Sequence, residues 1–178
     1  MTARRLFLKH TALLVGSLGA PAIARATVGN SAPKSLKLLN THTDEKFSGE
    51  FWVDGKFLPD AMSDINHLLR DHRSNHVLPI DPNLLLLLQR MSTQVGQGQV
   101  LHVISGYRSP QTNQLLADRS DGVAKHSLHL EGKAIDIRVP GSDLAAVHKV
   151  ALGLRGGGVG FYPDSQFVHL DTGRLRSW

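Results

Sequence analysis

Two short blocks in the C-terminal third restrict the folds open to this chain: Ser127-Leu128-His129-Leu130-Glu131-Gly132-Lys133-Ala134-Ile135-Asp136, and further on Phe167-Val168-His169-Leu170-Asp171. The first runs into an expected strand at 133–139 and the second lies in one at 166–172, and on a strand side chains alternate between faces. Over 133–139, Ala134, Asp136 and Arg138 share one face while Ile135 and Ile137 turn to a core. Over 166–172, His169 and Asp171 lie together, opposite Val168 and Leu170. If these strands are neighbours and His129 sits on the loop feeding the first, two imidazoles and a carboxylate converge.

That set has the character of a metal site. Zinc in hydrolytic centres takes three protein ligands, often histidine nitrogens and a carboxylate oxygen, and keeps one position for water. His129, Asp136 and His169 supply such a set. Bound zinc lowers the pKa of its water to about 7 and polarises a carbonyl, so the chemistry implied is metal-assisted hydrolysis. A single histidine is more often a surface or hydrogen-bonded residue than a ligand. The spacing Ser127-x-His129-x-x-Gly132-x-Ala134-x-Asp136 raises the set above that background, because small residues stand where a backbone must turn or a metal approach.

The N-terminus reads as an export signal. Basic Arg4-Arg5, the apolar stretch from Ala12 to Ala20 and the triplet Ala24-Arg25-Ala26 follow in the order of a signal peptide. Arg4-Arg5-x-Phe7-Leu8-Lys9 looks like a twin-arginine signal, which carries folded proteins across the membrane. The apolar run is shorter than the ~20 residues a membrane span needs, so no transmembrane anchor is expected. With the signal at 1–26, a linker at 27–35 and one domain at 36–178, four of the 20 Lys and Arg residues leave and the rest nearly balance the 15 acidic ones. The basic balance is thus a property of the signal, and nucleic-acid binding, which needs a clustered basic footprint, is not expected. The chain has no cysteine, which excludes disulfides and thiol catalysis.

Along the domain, 36–43 and 47–53 form an expected antiparallel hairpin, and Asp54-Gly55-Lys56 a turn. Helices are expected over 61–73, from Pro82 to about Gln94, from Ser109-Pro110 to about Asp118, and over 142–154 with Ser142 as cap. Strands are expected over 100–104, 133–139, 159–162 and 166–172. Without regular βαβ alternation, the architecture is α+β: a small, largely antiparallel sheet with helices packed against it.

The quoted blocks resemble the LAS-type zinc peptidases, a group that includes D-Ala-D-Ala peptidases, lysostaphin-type enzymes and the hedgehog signalling domain. With Ser105-Gly106-Tyr107-Arg108-Ser109, Gly158-Val159-Gly160-Phe161-Tyr162-Pro163 and the extension Thr172-Gly173, the chain is more closely similar to the exported murein endopeptidases of the YcbK/MepK type, in the family's block order. The resemblance implies that fold and a zinc-dependent peptidase acting on peptidoglycan stem peptides and cross-links, periplasmic or cell-wall associated, with His129, Asp136 and His169 as ligands. A monomer is the expected state. The absence of cysteine excludes the cysteine-dependent transpeptidases of cell walls.

One departure concerns the general base. Many members of the wider group carry an acidic residue three positions before the last histidine, where this chain has Gln166. Asp171 is the replacement candidate, either as base or as a residue orienting a ligand or pairing with Arg174, and His126 is a further candidate. Arg108 suits bidentate recognition of a carboxylate or carbonyl, which the resemblance supports, although structural pairing is the plainer reading of the bare residue. Ser127 and Tyr107 are open to peptide orientation or to capping and packing. His72 and His76, four apart, read as solvated surface, and His42, His67, His102 and His148 as structural. Gly156-Gly157-Gly158 lacks the Lys-Ser/Thr of a phosphate loop. Two rival functions remain: trimming of stem peptides by a D,D-carboxypeptidase or dipeptidase, and a non-catalytic zinc-containing binding module.

Overall fold

A computed structural model describes residues 32–96, 98–119 and 126–178. The expected signal at 1–26 and the first part of the linker lie outside the described residues. In chain order the elements are β1 (Lys34–Asn40), β2 (Lys46–Val53), β3 (Lys56–Phe57), α1 (Pro59–Leu68), α2 (Pro82–Val95), β4 (Leu101–Ser105), α3 (Pro110–Ala117), a 3-10 turn (Leu128–Glu131), β5 (Ala134–Arg138), α4 (Leu144–Leu154), β6 (Gly158–Tyr162), β7 (Phe167–Asp171) and β8 (Arg176–Ser177).

The strands form one sheet in the order β3-β2-β1-β4-β5-β7-β6-β8. Pairing is antiparallel except for β1 with β4 and β6 with β8. The α+β class stands, but the sheet has eight strands and is not small. Two of them, β3 and β8, are two residues long and show no alternation that a sequence could display. Asp54 and Gly55 have φ of 49° and 82°, which makes the β2–β3 connection a two-residue hairpin turn with both central residues left-handed.

Alternation decides what each face of the sheet meets. Leu36 and Leu38 of β1, Leu101 and Val103 of β4, Ile135 and Ile137 of β5, and Val168 and Leu170 of β7 are buried in one cluster with the helices. The leucine run of α2 supplies Leu84, Leu85, Leu87 and Leu88 to it, and α4 supplies Val147, Ala151 and Leu154. Burying a leucine side chain stabilises by roughly 1.5–3 kcal/mol, so this run alone fixes α2 against the sheet. The polar residues of β5 and β7 therefore point away from the helices.

Two helices differ from expectation in their bounds. Helix α1 starts at Pro59 and stops at Leu68, short of residue 73, because Asp71 leaves the helical path: its N–H donates to the His76 carbonyl at 3.0 Å, and its carboxylate is drawn to Ser109. Helix α4 is capped by Asp143 and not by Ser142; the Asp143 carboxylate accepts from the Ala146 N–H at 3.0 Å. Among the described residues no helix is long and apolar enough to cross a membrane.

Candidate metal centre

Strands β5 and β7 pair with Asp136 directly opposite His169, which places both side chains on the face away from the helices. His129 enters from the 3-10 turn. That turn ends at Gly132, whose φ is 65° and where a Cβ would lie 2.7 Å from the Pro79 carbonyl oxygen, so the motif glycine is both left-handed and crowded. The chain then runs straight into β5 and Asp136.

The three residues are buried and present one ligand atom each. Asp136 Oδ1 lies 2.9 Å from His169 Nδ1 and 3.3 Å from His129 Nε2, and the two nitrogens are 3.2 Å apart. Tetrahedral zinc with bonds of about 2.0–2.1 Å needs ligand atoms ~3.3 Å apart. The triangle fits that spacing, with two imidazoles and a carboxylate as donors.

Each ligand is held from behind. His129 Nδ1 donates to the Gly106 carbonyl at 2.6 Å; a carbonyl can only accept, so Nδ1 carries the hydrogen and Nε2 is left for a metal. The Arg108 N–H donates to the His129 carbonyl at 3.1 Å, fastening the 3-10 turn to the loop after β4. The Arg108 guanidinium donates to Asp136 Oδ2 and, through Nε, to Ser105 Oγ at 2.8 Å. His169 Nε2 donates to Asp171 Oδ2 at 3.1 Å, leaving Nδ1 toward the triangle.

Asp171 has no exposed surface, and both its oxygens are filled. Oδ1 accepts from the N–H groups of Gly158 and Gly173 at 2.9 and 2.8 Å, and the Arg176 guanidinium grips both oxygens at 3.1 and 2.6 Å. Burial opposes its ionisation, but the bonds from His169 and Arg176 outweigh this and hold its pKa well below the usual carboxylate range. Asp136 is likewise depressed, its burial outweighed by the two histidines and Arg108. Burial pushes the His129 pKa down against the pull of Asp136. At His169 burial is overcome by the bonds to Asp136 and Asp171, and the pKa is raised.

The triangle opens into a cleft of about 660 Å³ lined by His126, Ser127, Arg108, Tyr162, Phe167 and Trp178, among others. The Trp178 ring packs on His169, with centroids 5.2 Å apart, and its indole N–H donates to the Tyr162 hydroxyl at 2.8 Å. His126 is exposed on the cleft. Ser127 also lines it, but its hydroxyl caps the 3-10 turn by accepting from the His129 N–H at 3.3 Å. Tyr107 is in the core and does not line the cleft. Gln166 has φ of 55°, and its side chain donates back to the Pro163 carbonyl at 2.6 Å, away from the triangle.

The remaining histidines lie outside the triangle. His42 and His72 stack with centroids 3.9 Å apart, and burial holds His72 at about 4, with His42 and Arg73 adding to the effect. His148 stacks on Phe161, and His67 lies 3.5 Å from Glu45. Sequence reasoning missed Arg176 and the Gly106 carbonyl. The Asp171–Arg176 spacing was visible, whereas a carbonyl that any residue carries leaves no signal.

The family model described as peptidoglycan L,D-endopeptidase MepK matches residues 28–178. The chain belongs to the MepK family. The peptidoglycan L,D-endopeptidase MepK of Escherichia coli strain K12 is 41% identical over 175 residues, covering 98% of this chain and 96% of that protein. The probable peptidoglycan L,D-endopeptidase MepK of Haemophilus influenzae is 40% identical over 176 residues, covering 98% and 95%. MepK proteins are peptidases of a metallopeptidase family, and this chain is an enzyme of that class.

Proposed function

We propose that this protein is an exported, zinc-dependent peptidoglycan hydrolase that cuts peptide cross-links, with His129 Nε2, Asp136 and His169 Nδ1 holding the ion. The observation that carries this reading is the triangle of ligand atoms 2.9–3.3 Å apart, each backed by its own partner. When bound, zinc supplies a water acidic enough to attack at neutral pH and a charge that polarises the scissile carbonyl.

The protein's own groups do the rest. Arg108 fixes the outer oxygen of Asp136 and shows its remaining surface to the cleft, where it can meet a substrate carbonyl or carboxylate. Asp171 acts behind His169, setting ring orientation and tautomer, since it has no surface with which to reach a substrate. His126 is the candidate for moving the proton: it lines the cleft and has no hydrogen bond among the described residues.

The names of the relatives favour an L,D bond within peptidoglycan over the trimming of stem-peptide ends. The basic, apolar and Ala-x-Ala segments at the N-terminus support delivery to the periplasm. Digestion of purified sacculi tests the whole reading. Loss of cross-linked dimers is expected; unchanged dimers with shortened monomers would identify a carboxypeptidase, and zinc binding without any product a non-catalytic module.

A further inference from the structure

The cleft is unequal in charge. Arginines 73, 108, 119 and 176 and histidines 42 and 126 line it, and among the described residues its single side-chain carboxylate is Asp136. Two of those arginines are already committed, Arg108 to Asp136 and Arg176 to Asp171. Arg73 and Arg119 are exposed and make no ion pair among the described residues. By contrast Arg70, three residues before Arg73, is held by Glu45 at 2.6 Å.

The two uncommitted arginines stand on segments locked to each other. Asp71, 2% exposed, accepts from the Arg73 N–H at 2.9 Å, and its other oxygen accepts from the Ser109 N–H at 2.9 Å and the Ser109 hydroxyl at 2.6 Å. Ser109 caps α3, and Arg119 follows the end of that helix, its N–H donating to the Leu116 carbonyl at 3.2 Å. One buried carboxylate therefore fixes the loop that carries Arg73 to the start of the helix that Arg119 follows.

We infer that Arg73 and Arg119 form a carboxylate-binding wall of the cleft, which selects acidic peptides by holding a free carboxylate on a residue beside the scissile bond. A guanidinium offers paired donors matched to a carboxylate, and a cleft lined by one sign of charge concentrates substrates of the other. The inference rests on the proposed peptidase reading for its substrate class, but binding can be measured apart from cleavage.

The test compares a cross-linked muropeptide dimer bearing free carboxylates with the same dimer amidated. Arg73→Gln and Arg119→Gln, both exposed, are each expected to raise KM for the free-carboxylate dimer roughly 3- to 10-fold, with kcat and zinc content unchanged. Neither variant should alter KM for the amidated dimer, and the wild-type preference should shrink with added salt. Lys56→Gln, an exposed change on β3, controls for net charge. Equal effects on both dimers, or none on either, would overturn the inference. If the wild type cleaves neither dimer, the peptidase reading fails, and equilibrium binding of the free-carboxylate dimer decides: weaker binding by the variants upholds the wall, unchanged binding removes it.

Discussion

Asp136 and His169 face each other as one register pair of β5 and β7, with Oδ1 and Nδ1 2.9 Å apart. Two of the three candidate ligands are therefore placed by the sheet's own hydrogen bonding, and the third is delivered by the turn that leads into β5.

Replacing His129 with Ala removes one corner of the triangle while leaving the β5–β7 pair intact. Bound zinc should fall from about one ion per chain to near none, and sacculus digestion should drop more than ~100-fold. Elemental analysis of the purified variant checks this; full zinc content would defeat the ligand assignment.

Asp171→Asn separates an orienting role from a general base. If Asp171 acts through His169, the variant should bind zinc about 10–100-fold more weakly and regain most of its kcat when zinc is raised. A kcat that stays low at saturating zinc would point to proton transfer instead. His126→Ala is expected to show that second pattern.

The buried Asp71 makes stability depend on acid. Burial disfavours its charge, yet the bonds from Ser109 and Thr112 and the N–H of Arg73 hold its folded pKa well below the reference value of 3.8. A depressed carboxylate adds stability above its unfolded pKa and loses it as pH falls toward the folded one. The urea midpoint should thus fall between about pH 5 and pH 3, and fall less in Asp71→Asn. Equal slopes in both proteins would remove Asp71 as the cause.

Gly106 carries the carbonyl that holds His129, and a Cβ there would sit 2.4 Å from the Leu69 carbonyl oxygen. Gly106→Ala should cost roughly 1–3 kcal/mol and also weaken zinc binding, because the backbone can relieve the clash only by moving that carbonyl. Thermal unfolding and metal titration of one preparation measure both effects.

The parts of this molecule legible in the sequence are those with a period. Alternation in Ala134–Arg138 and Phe167–Asp171 predicts both strands and the face that Asp136 and His169 share, and Pro82 and Pro110 mark two helix starts, whereas α1 begins at Pro59, two residues before the expected 61. The two-residue strands β3 and β8 are too short to have a period. The end of α1 is set by a long-range partner, Ser109, and no local rule at residues 69–73 reports it. At the site, the ligand types and spacing are readable, but Asp171 is not: whether a carboxylate one step beyond a histidine faces solvent or is gripped by Arg176 depends on where β8 lies. Tyr107 similarly stands between a glycine and an arginine that both serve the site, yet points into the core.

The strand order has a consequence for wear. Counting inward, β5 and β7 are separated from one sheet edge by β3, β2, β1 and β4, and from the other by β6 and β8. Fraying begins where strands lack a neighbour and must cross these layers before it reaches the ligands. Amide exchange should therefore be fast at Lys56–Phe57 and slowest at β5, so that the rim of the enzyme can breathe while the atoms that would grip the ion keep their spacing.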